Sequence, residues 1–311
     1  MFSMNRMPLA KRAHILGFLI EDMSLRAASR VADCSINTVT KLLEDVGAAC
    51  AEFQDGALRN LQCKRIQCDE IWSFVGAKQK NVAAGAQSYG DVWTWTAIDA
   101  DTKLIASWMV GTRDGDAAKA FNADLADRLA SRVRLTTDGH KAYVQAVEDS
   151  FGADIDYAVL VKLYGAPQGR ESERRYSPAE CSGTIKGTVQ GKPDPAHVST
   201  SYVERQNLTM RMSMRRFTRL TNGFSKKVDN HMHAVALHFM YYNFGRIHKS
   251  LRVTPAMEAR VSGHVWSLEE IASLVPLSTA KEYDSPTGVG GGLLCPSNKK
   301  LLPTIGCYPL S

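Results

Sequence analysis

Arg65-Ile-Gln-Cys-Asp-Glu-Ile-Trp-Ser-Phe-Val75 alternates along its length as a strand does, and Asp69 interrupts the run. A second acid closes such a run. In Leu135-Thr-Thr-Asp-Gly-His140 the residues from Val133 to Thr137 read as a buried strand ending at Asp138, and Gly139 lets the chain turn. A third, Glu204 in Ser201-Tyr-Val-Glu-Arg-Gln-Asn207, opens a polar, basic helix. Carboxylates gathered from two strands and a helix repel one another unless a divalent cation lies between them. Asp69, Asp138 and Glu204 are therefore candidate ligands for Mg²⁺, an ion that takes a few carboxylates together with water and phosphate oxygens. The chain carries 32 acidic residues, so the settings of these three, not their number, carry the reading.

The elements around the first stretch follow from periodicity. Residues 91–98 and 104–111 read as two further strands joined by the turn Asp99-Ala-Asp-Thr-Lys103, which makes a hairpin. Asp116–Ser131 is an amphipathic helix with Ala117, Ala120, Phe121, Leu125 and Leu129 inward. After the strand at 133–137 come a helix over 140–151 and a strand over 155–163. Three antiparallel strands, a helix, a parallel strand, a helix and a strand form the RNase H-like order, an α/β mixed sheet flanked by helices. In it the first and fourth strands lie side by side, which would place Asp69 next to Asp138. Residues 165–200 are rich in Gly, Pro, Ser and charge and show no apolar period; they read as a long flexible insertion. Helices follow over 201–219 and 228–246. Beyond Ala259 the pattern decays, and 261–311, with Gly288-Val-Gly-Gly-Gly292, reads as a poorly structured tail.

The first 62 residues read as a small all-α domain. A helix over 9–21 precedes Leu25–Ala32, headed by Ser24. After the turn Asp33-Cys-Ser35, Ser35 caps a helix over Ile36–Val46 that Gly47 closes. This is the helix-turn-helix layout, with Asn37, Thr38, Thr40 and Lys41 at the exposed start of the recognition helix. The RNase H-like α/β domain then runs over 63–260.

Composition is that of an ordinary globular chain of 311 residues, 44% hydrophobic and 23% charged, with a net charge of +6. The distribution says more than the total. From Arg205 to Arg252 there are ten Lys or Arg against one acid, Asp229, so a phosphate backbone would meet Glu204 and the strongest positive field together. Within this segment Arg205, Asn207, Arg211, Arg215 and Arg216 are candidate DNA contacts. The seven cysteines are scattered without a C-x-x-C pair, and neither a disulfide framework nor a zinc finger is indicated. His231, His233 and His238 read as structural, and Trp72, Trp93, Trp95 and Trp108 as core residues of strands. No apolar run approaches the roughly 20 residues of a membrane span, and no signal-peptide pattern opens the chain, so a cytoplasmic location is expected.

Five pieces in order resemble the DDE transposases of bacterial insertion sequences, most closely the IS-one group, over roughly residues 64–258. They are Cys68-Asp-Glu-Ile-Trp-Ser-Phe-Val75, Thr137-Asp-Gly-His-Lys-Ala-Tyr143, Tyr202-Val-Glu-Arg-Gln-Asn-Leu208, the basic run Arg211–Asn222, and Tyr242–Ala256. The three acids lie 69 and 66 residues apart, which suits a core without a large inserted domain. The resemblance implies that Asp69, Asp138 and Glu204 hold two Mg²⁺ or Mn²⁺ ions for DNA strand cleavage and transfer. It implies as partners double-stranded DNA, both terminal inverted repeats and target, bound by a homodimer or higher oligomer. The cysteine-rich zinc module with which members of that group often begin is not seen here. Two other readings share the residues: a non-catalytic helix-turn-helix regulator, and a nuclease of the same fold that only hydrolyses.

Overall fold

The computed structural model describes residues 7–82, 90–165, 181–218 and 222–275. Three helices come first: α1 (Leu9–Ile20), α2 (Leu25–Val31) and α3 (Ile36–Ala57). Ser24 and Ser35 cap the second and third, accepting from Ala27 N and Asn37 N, and Asp33 takes the left-handed φ of 46° that makes the turn between them. Gly47 does not close α3, which runs ten residues past it. The glycine is needed there for space. A Cβ at position 47 would lie 2.4 Å from His233 Cβ and 2.7 Å from its carbonyl oxygen. Gly47→Ala is expected to destabilise the fold by about 1–3 kcal/mol, the usual cost of overpacking, read as a lower urea midpoint at unchanged slope.

Next come β1 (Arg65–Val75), β2 (Gly90–Asp99) and β3 (Ile105–Gly111), then α4 (Gly115–Arg128), β4 (Val133–Thr137), α5 (Ala142–Phe151), β5 (Ile155–Tyr164) and β6 (Cys181–Gln190). They form a six-stranded mixed sheet in the order β3-β2-β1-β4-β5-β6. β1 pairs antiparallel with β2 and parallel with β4, so the expected adjacency of the first and fourth strands is found, with Cys68 opposite Thr137. The hairpin turn is built by Asp99, whose carboxylate accepts from Thr102 N and Thr102 Oγ1. β6 lies where a flexible insertion was expected. It is an edge strand and almost wholly exposed on both faces, so it has no reason to carry an apolar period. The first part of that insertion, 166–180, lies outside the described residues.

On one face Trp95 of β2 packs on Phe121 of α4 and Tyr143 of α5, with ring centroids 5.7 and 5.4 Å apart. The other face is covered by α6 (Ser201–Ser213) and α7 (Val228–Met240). There Trp108 meets Phe239, and Ser73 Oγ lies 3.3 Å from Nε2 of the fully buried His231. His231 and His238 are structural, as expected: burial drives both down to about 3, so they stay neutral. A π turn, Tyr241–Gly245, ends α7, and α8 (Pro255–Glu258) follows.

The expectation of a structureless tail from 261 fails at α9 (Leu268–Ser273). Ser267 and Glu270 close a reciprocal capping box at its start, and Ile271 and Ala272 are buried. α9 packs against α1: Leu268 Cδ1 reaches Gly17, and Arg12 Nη2 donates to Val275 O at 3.4 Å. One buried apolar cluster takes in residues of α1, α3, the sheet, α7 and α9. Residues 276–311 lie outside the described residues. Among those described, no helix is long and apolar enough to cross a membrane.

Candidate active site

Asp69 stands mid-strand on β1, and Asp138 follows the last residue of the neighbouring β4. One ligand oxygen each from Asp69, Glu70 and Asp138 lie within 4.8 Å of one another. The parallel pair thus brings two of the three predicted acids together and adds Glu70. Asp138 is held by an Asx turn, its Oδ1 accepting from His140 N at 2.9 Å. Gly139 keeps an ordinary φ; its role is room, since a Cβ there would press on Val161 Cγ2 at 3.1 Å.

Glu204 sits in the first turn of α6 but outside this cluster. Its Oε1 accepts from Thr200 Oγ1 at 2.6 Å, and its Oε2 forms an ion pair with Lys162 of β5. The helix itself is clamped over the acids. Gln67 Oε1 accepts from Tyr202 N (2.8 Å) and Val203 N (3.2 Å), satisfying two of the donors that a helix start leaves open. Asn207, one turn beyond Glu204, donates from Nδ2 to Asp69 Oδ2 at 2.8 Å. Asn207, a candidate DNA contact on sequence grounds, is therefore a buried partner of Asp69.

Negative charge crowds this place. Burial, first, and then the charges of Glu70, Asp138 and Glu204 push Asp69 up to about 7. Glu70 is raised by its burial as well, against the pull of Tyr143 and Arg113. Its Oε2 accepts from Arg113 Nε at 2.9 Å, and Arg113 Nη2 stands 3.5 Å from Asp138 Oδ2. The donor set suits a hard divalent cation: the oxygens are anionic, and buried Glu70 Oε1 and Asn207 Oδ1 have no hydrogen-bond partner among the described residues. Asp69, Glu70 and Asp138 could hold such an ion. Cys68 is no competitor, because burial and the same three carboxylates raise its thiol well above the ordinary range.

Glu70, Arg113, Lys162 and Thr200 were not singled out by sequence. Glu70 could have been, as the acid beside Asp69. The others come from separate loops and strands, and only the fold brings them near. Trp95 and Trp108 are core residues as expected, but Trp72 and Trp93 are half-buried. They face each other across β1 and β2, with Lys78 Nζ 5.8 Å from the Trp72 ring and the Arg113 guanidinium 4.6 Å from the Trp93 ring.

The candidate DNA contacts lie elsewhere. Asn37, Thr38 and Lys41 are exposed on the first turns of α3, Lys41 in an ion pair with Asp45 at 3.0 Å. Thr40 is half-buried, and its hydroxyl donates to Ile36 O. Arg205 and Arg215 are exposed and Arg211 is half-buried. Arg216 Nη1 is turned inward, donating to Ser225 Oγ and Asn230 O at 2.9 Å each, and desolvation lowers it to about 10. Thr40, Arg215, Lys226 and Lys227 line one cleft of about 1090 Å³ between α2–α3 and the segment after α6.

No protein-family model and no curated protein sequence matches this chain. Among solved structures, a piggyBac transposase synaptic complex with hairpin DNA is similar at a TM-score of 0.36 and 11% identity, over 86% of this chain and 70% of that one. An overlap that slight decides neither fold nor function.

Proposed function

We propose that this chain is a DNA transposase of the insertion-sequence type. Its sheet is the RNase H-like catalytic core, and Asp69, Asp138 and Glu204 would hold two Mg²⁺ or Mn²⁺ ions. The observation that carries this reading is the parallel β1–β4 pair. It gathers Asp69 and Asp138 in one acidic cluster, while Asn207, a turn from Glu204, bonds to Asp69. The chemistry such ions would supply is Lewis-acid activation of a water or a 3′-OH and stabilisation of charge on the leaving oxygen.

The protein's own groups do the positioning. Gln67 and Asn207 hold α6 across β1, and Glu204 stands near enough for its charge to act on Asp69. Exposed Arg205 and Arg215, with Arg211 between them, take phosphates. The helix-turn-helix of α2 and α3 offers Asn37, Thr38, Thr40 and Lys41 to the terminal inverted repeats, and Thr40 lines the cleft that also holds Arg215. No side chain becomes bonded to DNA. Joining two element ends to a target calls for at least a homodimer.

The deciding assay is joining of a labelled duplex, taken from the repeats that flank the coding sequence, to plasmid DNA. It is run with Mg²⁺ or Mn²⁺ and with EDTA, for wild type and Glu204→Gln. Joining that needs metal and is lost in the variant is expected. Cleavage without joining makes the protein a nuclease, and binding without metal-dependent chemistry makes it a regulator.

Lys162 competes with metal for Glu204. The pair is partly exposed, with side chains 28% and 36% accessible, and a pair of that kind contributes about 0.5–1 kcal/mol. Lys162→Met is therefore expected to tighten Mn²⁺ binding roughly two- to fivefold by calorimetry. Weaker binding in the variant would mean that Lys162 orders Glu204 for the metal instead.

A further inference from the structure

We propose that Arg113 is a phosphate-contacting residue of the candidate active site, taking a DNA phosphate next to the acidic cluster; this rests on the DNA reading above. Arg113 lies in the link between β3 and α4, and three neighbours fix its guanidinium. Glu70, whose side chain has no accessible surface, takes Nε at 2.9 Å. The Trp93 ring lies beneath the guanidinium at 4.6 Å. Asp138 Oδ2 stands 3.5 Å from Nη2, near enough to attract and beyond good hydrogen-bond length.

The contrast with other arginines is informative. Arg65 is tied to Asp101, Arg128 to Asp55 and Asp124, and Arg132 to Asp154 and Asp156; each closes its fork on carboxylates that lie away from the acidic cluster. Arg113 closes one edge of its fork on Glu70. Its Nη1 has no protein hydrogen-bond partner among the described residues, and 36% of its side chain is accessible. A planar fork with one edge anchored and the other open beside metal-ligand candidates is pre-set for phosphate oxygens.

Glu70 acquires a role on the same evidence. Oxygens of Asp69 and Asp138 lie near it, but its Oε2 is already spent on Arg113. A buried carboxylate bonded to a guanidinium fixes where that guanidinium points. Glu70 positions Arg113 through Oε2, and its Oε1 stays free to join Asp69 and Asp138 around a metal.

The test reads binding, not turnover. Fluorescence anisotropy in EDTA would use duplexes from the flanking repeats, each with one terminal phosphate replaced by a neutral methylphosphonate, stepping along both strands. Wild type is expected to lose roughly tenfold in affinity at the phosphate that Arg113 contacts, the size of a hydrogen bond to a charged group. Arg113→Gln should show that loss with the unmodified duplex and be indifferent to the neutral group at that one position. Because Arg113→Gln leaves Glu70 buried without its partner, the double variant Glu70→Gln/Arg113→Gln is measured beside it and should behave alike. If both variants keep the wild-type pattern at every position, the assignment of Arg113 is wrong while the DNA reading stands. If wild type itself ignores every neutral substitution, the DNA reading and this assignment fall together.

Discussion

Asp69→Asn is expected to stabilise the metal-free protein at pH 8 by about 4 kcal/mol while removing its chemistry. Asp69 is held up to about 7, against 3.8 for the ordinary side chain, chiefly by burial and then by Glu70 and Asp138. The sign is the reverse of that for an ordinary salt-bridged acid. Between pH 4 and 7 the folded state keeps a proton that the unfolded chain releases, so stability falls as pH rises through this window and levels off above it. The rise from 3.8 to about 7, at about 1.36 kcal/mol for each tenfold in proton affinity, gives the magnitude. Asn carries no charge at any pH; its oxygen can keep Glu70 N, and its NH₂ can donate to Asn207 Oδ1 once that amide flips. Thermal melts from pH 4 to 8 should therefore show a falling Tm for wild type and a much flatter profile for the variant, with the remaining slope due to Glu70, which is raised in the same direction. Mg²⁺ should restore wild type at pH 8 by mass action and leave the variant nearly unmoved. Equal melts for the two proteins at pH 8 without metal would show that the charges around Asp69 are not in conflict.

The second large effect is on joining. Asp138→Asn and Glu204→Gln are each expected to reduce metal-dependent strand transfer by a thousandfold or more, with duplex binding within a fewfold of wild type, since a two-ion site loses its charge balance with either acid. The two variants probe different things. Asp138 already lies with Asp69, whereas Glu204 is tied to Lys162 and Thr200 and must leave both. Full activity in Glu204→Gln would move the third ligand to Glu70 and dismiss Glu204 as a ligand. Full activity in Asp138→Asn would dismiss the site.

Strands β1 to β5 were legible because each is buried on at least one face, and burial writes a period into sequence. Asp69 and Asp138 could be paired from the order of elements alone. β6 escaped because an exposed edge strand buries almost nothing, and its Thr-Ile-Lys-Gly-Thr-Val reads as loop. Gly47 misled because a glycine that admits a neighbouring helix looks, in one dimension, like one that ends its own. α9 escaped for its shortness, although Ser267-Leu-Glu-Glu270 is a written capping box. Arg113 and Lys162 were hidden for a different reason: each reaches its acid across the sheet, and a charge carries no periodic mark of the partner it will meet. Arg216 shows the converse, a member of a basic run that the fold spends on Ser225 and Asn230.

The clasp of α1 by α9 joins segments some 263 residues apart in sequence, as the bond from Arg12 to Val275 shows. At a synthesis rate of about 5–20 residues per second, roughly 13 to 50 seconds pass between the two leaving the ribosome. For that interval the side of α1 that meets Leu268 has nothing of its own chain to lie against. Among the described helices α9 is the last to be made, and α1 waits for it with that side bare, a natural client for whatever holds unfinished chains apart.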